Sequence, residues 1–292
     1  MPPLVRALRP QEWIKNLLVF AGVLFSGRLD QSGALGDALI TFAGFCAISS
    51  AGYLFNDLRD REHDRHHPEK RDRPIASGAV TAETAVALAV ALTIGAIALG
   101  LVVKAEVAAL IASYGVITAA YSLILKRLVI LDVMTIASLF ILRVVAGAVA
   151  VGAQASEFLL VCTGFLALFL GFTKRRQEAM LEQADPVEVE GVPATRPVLE
   201  HYSLPFLDQM IAMVTASAII SYVIYTVDSP RIGSKMLATA PSVLYGIFRY
   251  LYLVYDRRDT RSTAAILTED PGMVFAAVTW VGAALAMLYV FD

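Results

Sequence analysis

Three aspartates stand at positions i, i+3 and i+7 in one charged segment of the chain: Asp57, Asp60 and Asp64. On a helix with about 100° of rotation per residue, their side chains fall within roughly 60° of one another. Three carboxylates on one stripe repel each other unless a cation lies between them, and Mg²⁺ binds oxygen ligands together with substrate phosphates. The spacing therefore predicts a Mg²⁺ site that holds a diphosphate, with Asn56 supplying a further oxygen.

The residues after the aspartates carry the complementary charge. Lys70, Arg71 and Arg73 lie between Pro68 and Pro74, so we expect them on a turn whose donors bind a phosphate. The alternative for the whole segment is a solvated loop in which six acids and six bases neutralise one another. Zinc is disfavoured because no cysteine lies near and the histidines are irregularly spaced. Those histidines are His63, His66 and His67.

The chain that carries these residues has the composition of a membrane protein. Of its 292 residues, 57% are hydrophobic and 17% are charged, whereas a soluble domain is about one quarter charged. Nine stretches are apolar and close to the roughly 20 residues that a span requires. We therefore predict an all-α polytopic membrane protein with one membrane-embedded domain, 1–292. The predicted spans are 12–27, 34–56, 82–103, 106–125, 129–152, 158–173, 206–227, 236–254 and 271–291.

Lysines and arginines are divided unequally between the two sides of these spans. Nineteen of the 24 fall on the side of the N-terminus, four on the other side, and Arg143 lies within a span. Cytoplasmic loops carry such an excess of positive charge. We expect a plasma-membrane protein with its N-terminus and the long segments 57–81 and 174–205 in the cytoplasm and its C-terminus outside. The helix of the second span should continue through the aspartates and end near Pro68.

The fifth predicted span holds two charged residues. Asp132 and Arg143 are eleven residues apart, which places them on one helix face but roughly 16 Å from each other, so we do not expect them to pair. An arginine inside a span costs about 2.5–3.5 kcal/mol on insertion scales. Arg143 therefore either serves the function directly or pairs with a buried polar group on another span. Nearby small residues permit close helix packing: Ala146, Gly147, Ala148 and Ala150.

The stretch NDLRDREHDRHHPEKRDRPIASG (56–78) resembles the first motif of the UbiA superfamily of membrane transferases. The opening RPQEWIKNLLVFA (9–21) is similar to the R-P-x-Q-W-x-K-N start of the superfamily's decaprenyl-phosphate phosphoribosyltransferases, although the Gln is shifted by one and Glu12 intervenes. Residues 121–150 and the sequence TKRRQE (173–178) resemble further regions of that subgroup. The resemblance covers nearly the whole chain. It implies a nine-span, all-helical, Mg²⁺-dependent transferase in which the cytoplasmic loops 57–81 and 174–205 cap the active site.

Members of this subgroup transfer the 5-phosphoribosyl group of phosphoribosyl pyrophosphate to a polyprenyl phosphate and release diphosphate, which supplies precursors for cell-wall arabinan. The resemblance implies the same substrates here, with decaprenyl phosphate or a similar lipid as acceptor. One departure from the wider superfamily favours this subgroup. Prenyltransferases typically carry a second D-x-x-x-D motif, whereas Asp132 is followed four residues later by Ile136. A single full motif suits a donor with one Mg²⁺-bound diphosphate and a second phosphate held by bases.

The implied reaction breaks the bond between ribose C1 and diphosphate, with oxocarbenium character at the sugar. An ionised acceptor phosphate requires no general base, so positioning and electrostatics carry the catalysis. Asp57, Asp60 and Asp64 are the implied metal ligands, and together with Lys126 they form the implied catalytic set. For each basic candidate at a span end, Lys126 included, the alternative is topology signalling or lipid headgroup contact. The substrate-binding candidates are Lys15, Asn16, Asn56, Lys70, Arg71, Arg73, Tyr121, Arg127, Asp132, Arg143, Lys174 and Arg175.

Other functions fit the sequence less well. The alternative within the superfamily is a prenyltransferase that moves a prenyl group from its diphosphate to an aromatic or other acceptor. Membrane CDP-alcohol phosphotransferases require D-G-x-x-A-R, and Arg61 and Glu62 occupy part of that pattern here. Transporters place polar sites near the midplane, and Arg143 alone meets that expectation. A net charge of −2 gives no support for nucleic-acid binding, and the sequence leaves a homo-oligomer open.

Overall fold

The structure is a computed structural model that describes residues 1–26, 31–66, 70–184, 198–227 and 233–289. Within these ranges every regular element is helical, which confirms the predicted all-α class. The α-helices are α1 (Pro3–Leu8), α2 (Val19–Ser26), α3 (Ala34–Arg59), α4 (Arg61–His66), α5 (Ala82–Val103), α6 (Ala105–Leu123), α7 (Leu131–Ala150), α8 (Glu157–Ala184), α9 (Leu204–Val227), α10 (Ala240–Tyr255), α11 (Thr263–Glu269) and α12 (Pro271–Tyr289). Four 3₁₀ helices cover Pro10–Leu18, Leu125–Arg127, Leu199–His201 and Gly233–Thr239.

Seven helices in the described ranges are long and apolar enough to cross a membrane, and α11 with α12 makes an eighth if that pair, bent by 75°, is one span. The second to eighth predicted spans each correspond to one of these helices. The first predicted span is divided between the 3₁₀ helix Pro10–Leu18 and the eight-residue α2, and position 27 lies outside the described residues. The count of nine therefore stays a prediction, whereas a polytopic helical membrane protein is confirmed.

The described chain divides into two compact units, the first mainly Met1–Thr135 with Leu139–Ala155, the second mainly Ser156–Val187 with Ala194–Asp292. In the first unit, α3 packs along α5 and α6. Its core includes Phe45, Ile48 and Ile111, which are 3% exposed or less. These apolar side chains fix α3, whose last turns carry Asp57 and lead to Asp60 and Asp64.

Backbones approach closely where the first unit uses small residues. A Cβ on Gly147 would lie 1.8 Å from the backbone oxygen of Val19, and one on Gly22 would lie 2.3 Å from the backbone nitrogen of Ala148. Neither position tolerates a side chain without a shift of backbone. The small residues of α7 therefore pack closely against α2, as the sequence predicted.

In the second unit, α8 packs along α9 and α10 packs against α12. The rings of Phe169 and Tyr250 meet edge to face at 5.6 Å between centroids. We expected a loop from position 174, but α8 continues as helix to Ala184. The reason is composition, since KRRQEAMLEQA consists largely of strong helix formers and contains no proline or glycine.

Helix α3 ends earlier than expected. It stops at Arg59, Asp60 lies at the C-cap with φ −89° and ψ 4°, and α4 begins at Arg61. The backbone nitrogen of Asp60 still donates to Asn56 and that of Asp64 to Asp60, at 2.9 and 2.8 Å. The predicted helical path through the aspartates is thus interrupted at one residue. The expected end at Pro68 falls outside the described residues.

Candidate active site

Two of the three aspartates are buried and share one arginine. Asp57 and Asp64 are 3% and 2% exposed. Nη1 of Arg73 lies 3.2 Å from Oδ1 of Asp57 and 2.7 Å from Oδ2 of Asp64. Nη2 of Arg9 donates to both oxygens of Asp57, at 2.7 and 2.9 Å. Buried carboxylates need such partners because desolvation penalises an unpaired charge, so these four residues form one charge-paired cluster.

The third aspartate pairs with a lysine from a distant part of the sequence. Nζ of Lys126 lies 3.1 and 2.8 Å from the two oxygens of Asp60 and 3.4 Å from Oδ1 of Asn56. Lys126 occupies the short 3₁₀ helix that follows α6. The structure therefore brings together Asn56, Asp60 and Lys126, which the sequence nominated from two separate motifs.

The turn that carries Arg73 is held in place by an apolar anchor. Ile75 is 2% exposed and packs with Leu54 of α3. The backbone nitrogen and the hydroxyl of Ser77 both donate to the carbonyl of Arg73 at 2.9 Å, and Gly78 takes a φ of +79° that an L side chain would strain. The RPIASG sequence thus folds as a tight turn that presents Arg73 to the buried aspartates.

The self-neutralising alternative describes only the outer face of α4. Arg61 and Arg65 both pair with Glu62, at 2.9 and 3.0 Å. The hydrogen bond from Arg61 is the main reason that the pKa of Glu62 lies below its ordinary value. Asp57 and Asp64 are buried instead, so they do not belong to a solvated loop.

The donor chemistry of this cluster fits Mg²⁺. Carboxylate and amide oxygens are the ligands that Mg²⁺ prefers, and Asp57, Asp64, Asp60 and Asn56 supply only such oxygens. The nitrogen of Arg73 that touches both Asp57 and Asp64 marks a point that both carboxylates reach. No group of three His, Cys, Asp or Glu side chains in the described ranges is arranged around one metal position. The three-ligand set therefore stays a prediction.

Arg9 contacts the candidate site, although the sequence reasoning did not nominate it. Besides binding Asp57, its guanidinium lies 5.0 Å from the ring centroid of Tyr53. Its φ of +52° is in the left-handed region and separates α1 from the following 3₁₀ helix. The signal was available, because Arg9 opens the matched stretch RPQEWIKN. It was overlooked because a basic residue near a terminus resembles ordinary topology signalling.

A second polar cluster surrounds the buried arginine of α7. Arg143 is 4% exposed and donates to Oδ1 of Asn16 and to the hydroxyl of Tyr114, both at 2.7 Å, and to the carbonyl of Leu139 at 2.8 Å. Its guanidinium also lies 4.7 Å from the ring centroid of Tyr114. Pairing with buried polar groups of other helices is thus confirmed.

The two residues nominated from the opening motif differ in environment. Asn16 is fully buried, and its Nδ2 lies 3.3 Å from both Sγ of Cys46 and Oγ of Ser49. Lys15 forms an ion pair with Glu12 and keeps 31% of its side chain exposed. Asn16 therefore bonds side chains of α3, and its role in substrate binding stays a prediction, while the Lys15 side chain is partly accessible.

Four other nominated residues belong to the first unit, in the turn before Arg73 and near the end of α6. Lys70 and Arg71 belong to the turn that leads to Arg73, as predicted; Lys70 is half-buried and Arg71 exposed. Tyr121 is half-buried near the end of α6, and Arg127 is exposed. No role in binding follows from these positions, so their roles remain predictions.

The remaining nominated residues are helical. Asp132 is fully buried in the first turn of α7. In the second unit, Lys174 is half-buried on α8 and Arg175 is 1% exposed and pairs with Glu178. Arg175 thus forms a buried ion pair within its unit. Its direct contact with substrate stays a prediction, and its burial disfavours that contact.

Comparison with known proteins shows where this arrangement belongs. The sequence profile described as the UbiA prenyltransferase family matches residues 17–273. The chain belongs to the UbiA prenyltransferase family. It is therefore a membrane transferase, as the resemblance of its motifs implied.

Proteins named decaprenyl-phosphate phosphoribosyltransferase resemble the chain over nearly its full length. The decaprenyl-phosphate phosphoribosyltransferase of Corynebacterium glutamicum is 31% identical, with 98% of this chain and 87% of the relative covered. The protein of that name from Mycolicibacterium smegmatis is 29% identical, covering 98% and 92%. These alignments include both units and all the matched motifs.

A solved UbiA homolog shares the fold. The structure of the Archaeoglobus fulgidus homolog bound to GPP and Mg²⁺ superposes with a TM-score of 0.74 and 18% identity, covering 98% of this chain and 99% of that one. At this identity the likeness establishes the helical architecture alone.

Proposed function

We propose that the chain transfers the 5-phosphoribosyl group of phosphoribosyl pyrophosphate to decaprenyl phosphate or a similar polyprenyl phosphate, with release of diphosphate. The observation that supports this most strongly is the near-full-length similarity to two proteins named decaprenyl-phosphate phosphoribosyltransferase. In this proposal the reaction takes place at the cytoplasmic face of the plasma membrane and supplies precursors of cell-wall arabinan.

The aspartate cluster is the proposed site for the diphosphate. Asp57, Asp60 and Asp64 would hold Mg²⁺, with Asn56 as a neutral oxygen donor. When bound, Mg²⁺ neutralises charge on the departing diphosphate. The existing ion pairs make this site adaptable, because Arg73 and Lys126 already lie against the carboxylates and can donate to phosphate oxygens when those carboxylates bind metal.

The basic residues around the cluster can reduce the repulsion between the two anionic substrates. Donor and acceptor are both anions, so they repel each other unless cations lie between their phosphates. Lys126, Arg73 and Arg9 surround the aspartates, and we propose that they bind donor phosphates. Lys15, Lys70 and Arg71 are proposed to bind phosphate as well, and Tyr121 to donate to phosphate or ribose.

No residue is assigned as a general base. The acceptor phosphate is ionised at neutral pH and can attack ribose C1 without losing a proton. The protein's contribution is then to hold two anions in line and to exclude water. The second D-x-x-x-D motif is incomplete, because Ile136 follows Asp132 where the motif has an aspartate. This departure supports a donor that is held through one full acidic motif.

A choice between two donors tests the proposal. Purified protein in detergent would receive Mg²⁺, ribose-labelled phosphoribosyl pyrophosphate and decaprenyl phosphate in one reaction, and a labelled prenyl diphosphate with an aromatic acid in another. The proposal predicts ribose label in the lipid phase. Prenyl transfer without ribosyl transfer would instead establish the alternative activity of the family.

A further inference from the structure

The 3₁₀ helix Pro10–Leu18 is unusually long, and its geometry aligns residues three apart. A 3₁₀ helix has three residues per turn, so side chains at i and i+3 eclipse, and runs beyond three or four residues are uncommon. Nine residues adopt this form here. Glu12 and Lys15 therefore stand in one column, directly above one another, and the two side chains form an ion pair.

A neighbouring column fixes the rotation of this helix. Nε1 of Trp13 donates to Oγ of Ser50 at 3.0 Å, and Asn16, three residues later, bonds Ser49 and accepts from Arg143. Both residues thus hold the helix against α3. The 3₁₀ helix therefore cannot rotate about its axis, and the side chains of Glu12 and Lys15 point in a fixed direction.

The helix Pro10–Leu18 makes contacts that lead toward both the aspartate cluster and the buried arginine. The hydroxyl of Tyr53 lies 3.5 Å from Oε2 of Glu12, and Tyr53 also lies below the guanidinium of Arg9, which binds Asp57. On the other side, Asn16 links the same helix to Arg143. The helix that carries the Glu12–Lys15 pair therefore contacts both polar clusters of the first unit.

The charges of Arg143, Lys15 and Glu12 do not balance. Within the described residues, the hydrogen bonds of Arg143 all go to uncharged groups, whereas Lys15 has Glu12 as its carboxylate. Two cations and one carboxylate leave an excess of one positive charge. A positive excess in partly desolvated surroundings favours an anion, and Lys15 keeps 31% of its side chain exposed to reach one.

We propose that Glu12 is a positioning residue that holds the Lys15 ammonium in its column and withholds part of its charge from a phosphate monoester bound there. This inference rests on the proposed function for the source of that phosphate, which is either the 5-phosphate of the donor or the phosphate of the lipid acceptor. Lys15 has three donors, so it can bind Glu12 and a phosphate together.

Binding of two probes to the full-length protein in detergent tests this role. Ribose 5-phosphate represents the donor phosphate and farnesyl phosphate the lipid phosphate, and titration calorimetry would give their dissociation constants. For one of the two probes, E12Q should tighten binding about fivefold, because it removes a unit negative charge a few ångströms away, and K15Q should weaken it. In the K15Q background, E12Q should change binding less than about twofold.

The controls separate charge from folding. Glu106 is an exposed residue at the start of α6. The control variant E106Q removes the same charge there and should leave both dissociation constants unchanged. E12D keeps the charge and should stay within about twofold of wild type. The inference is overturned if E12Q leaves both probes unchanged, weakens them, or acts equally with and without Lys15, or if neither probe binds.

The proposed function fails in a different way. Binding requires no transfer step, so coupling between Glu12 and Lys15 without ribosyl transfer would overturn the reaction and keep the inference. Ribosyl transfer without this coupling would overturn the inference and keep the reaction.

Discussion

Nζ of Lys126 lies 2.8 Å from Oδ2 of Asp60, although 66 residues separate them in the chain. The contact joins the end of α3 to the short 3₁₀ helix after α6, and both side chains stay partly exposed, at 21% and 28%. An ion pair this accessible adds little to stability. Its value is expected in function, because it places an ammonium beside a carboxylate proposed to hold Mg²⁺.

Lys126→Ala should lower kcat/KM for phosphoribosyl pyrophosphate about 100-fold, because it removes one cation that faces developing negative charge. The free energy of unfolding should change by less than about 1 kcal/mol. Steady-state kinetics with the donor varied would measure the first effect and thermal unfolding the second. Lys104→Ala is the matched control, since Lys104 is exposed and its ammonium donates to the carbonyl of Val149. An unchanged rate in Lys126→Ala would assign Lys126 to topology signalling.

Arg143→Leu should destabilise the protein by about 2–4 kcal/mol, because Asn16 and Tyr114 would each lose a charged hydrogen-bond partner inside the membrane-embedded unit. Arg71→Leu removes an exposed arginine and should change stability by less than about 0.5 kcal/mol. Unfolding in detergent micelles measures both variants. Equal stability of the two would show that the Arg143 cluster does not hold α7 to its neighbours.

Gly147→Ala should destabilise the protein by about 1–3 kcal/mol or more, because its new Cβ would lie 1.8 Å from a backbone oxygen and force α2 and α7 apart. Gly95→Ala is the matched control. A Cβ at Gly95 meets no atom within 4 Å, so this change should be neutral or stabilise α5 by up to about 1 kcal/mol. Melting temperatures that fall equally in the two variants would contradict the close packing.

Acid should remove one stabilising contact in the second unit. Hydrogen bonds from the Arg261 side chain hold the pKa of Asp259 below its ordinary value. The carboxylate therefore adds stability above the pKa of unfolded aspartate, about 3.9, and this contribution fades as pH falls through the lower folded value. Between pH 6 and pH 3, the melting temperature of wild type should fall slightly more than that of Asp259→Asn. Parallel curves would contradict this assignment.

Much of the fold was predictable because hydropathy marks spans directly. The second to eighth predicted spans match helices, since a bilayer requires about 20 apolar residues from each. The helix type of the first span was not predictable, because hydropathy does not distinguish an α-helix from a 3₁₀ helix such as Pro10–Leu18. The end of α8 was missed for a related reason. Charged residues from position 174 predict a loop, whereas the segment to Ala184 is helical.

The residues of the candidate site were predictable from the sequence, whereas the contacts among them were not. Spacing and motif resemblance nominated Asp57, Asp60, Asp64, Arg73 and Lys126, and the structure places each of the five in an ion pair with another member of the set. The sequence could not show that Arg73 bridges two aspartates while Lys126 takes the third. Those pairings depend on where the turn and the helix end fall in space, which pattern and charge do not specify.

The central claim is that this chain transfers a ribosyl phosphate through its aspartate cluster. The most direct measurement counts products in one assay with ribose-labelled phosphoribosyl pyrophosphate, decaprenyl phosphate and Mg²⁺, for wild type, wild type with EDTA, and Asp60→Asn. We predict one diphosphate released per lipid-linked phosphoribose in wild type, no transfer with EDTA, and at least about 100-fold less transfer by folded Asp60→Asn. Transfer that survives EDTA, or that Asp60→Asn retains within a few-fold, would contradict the account.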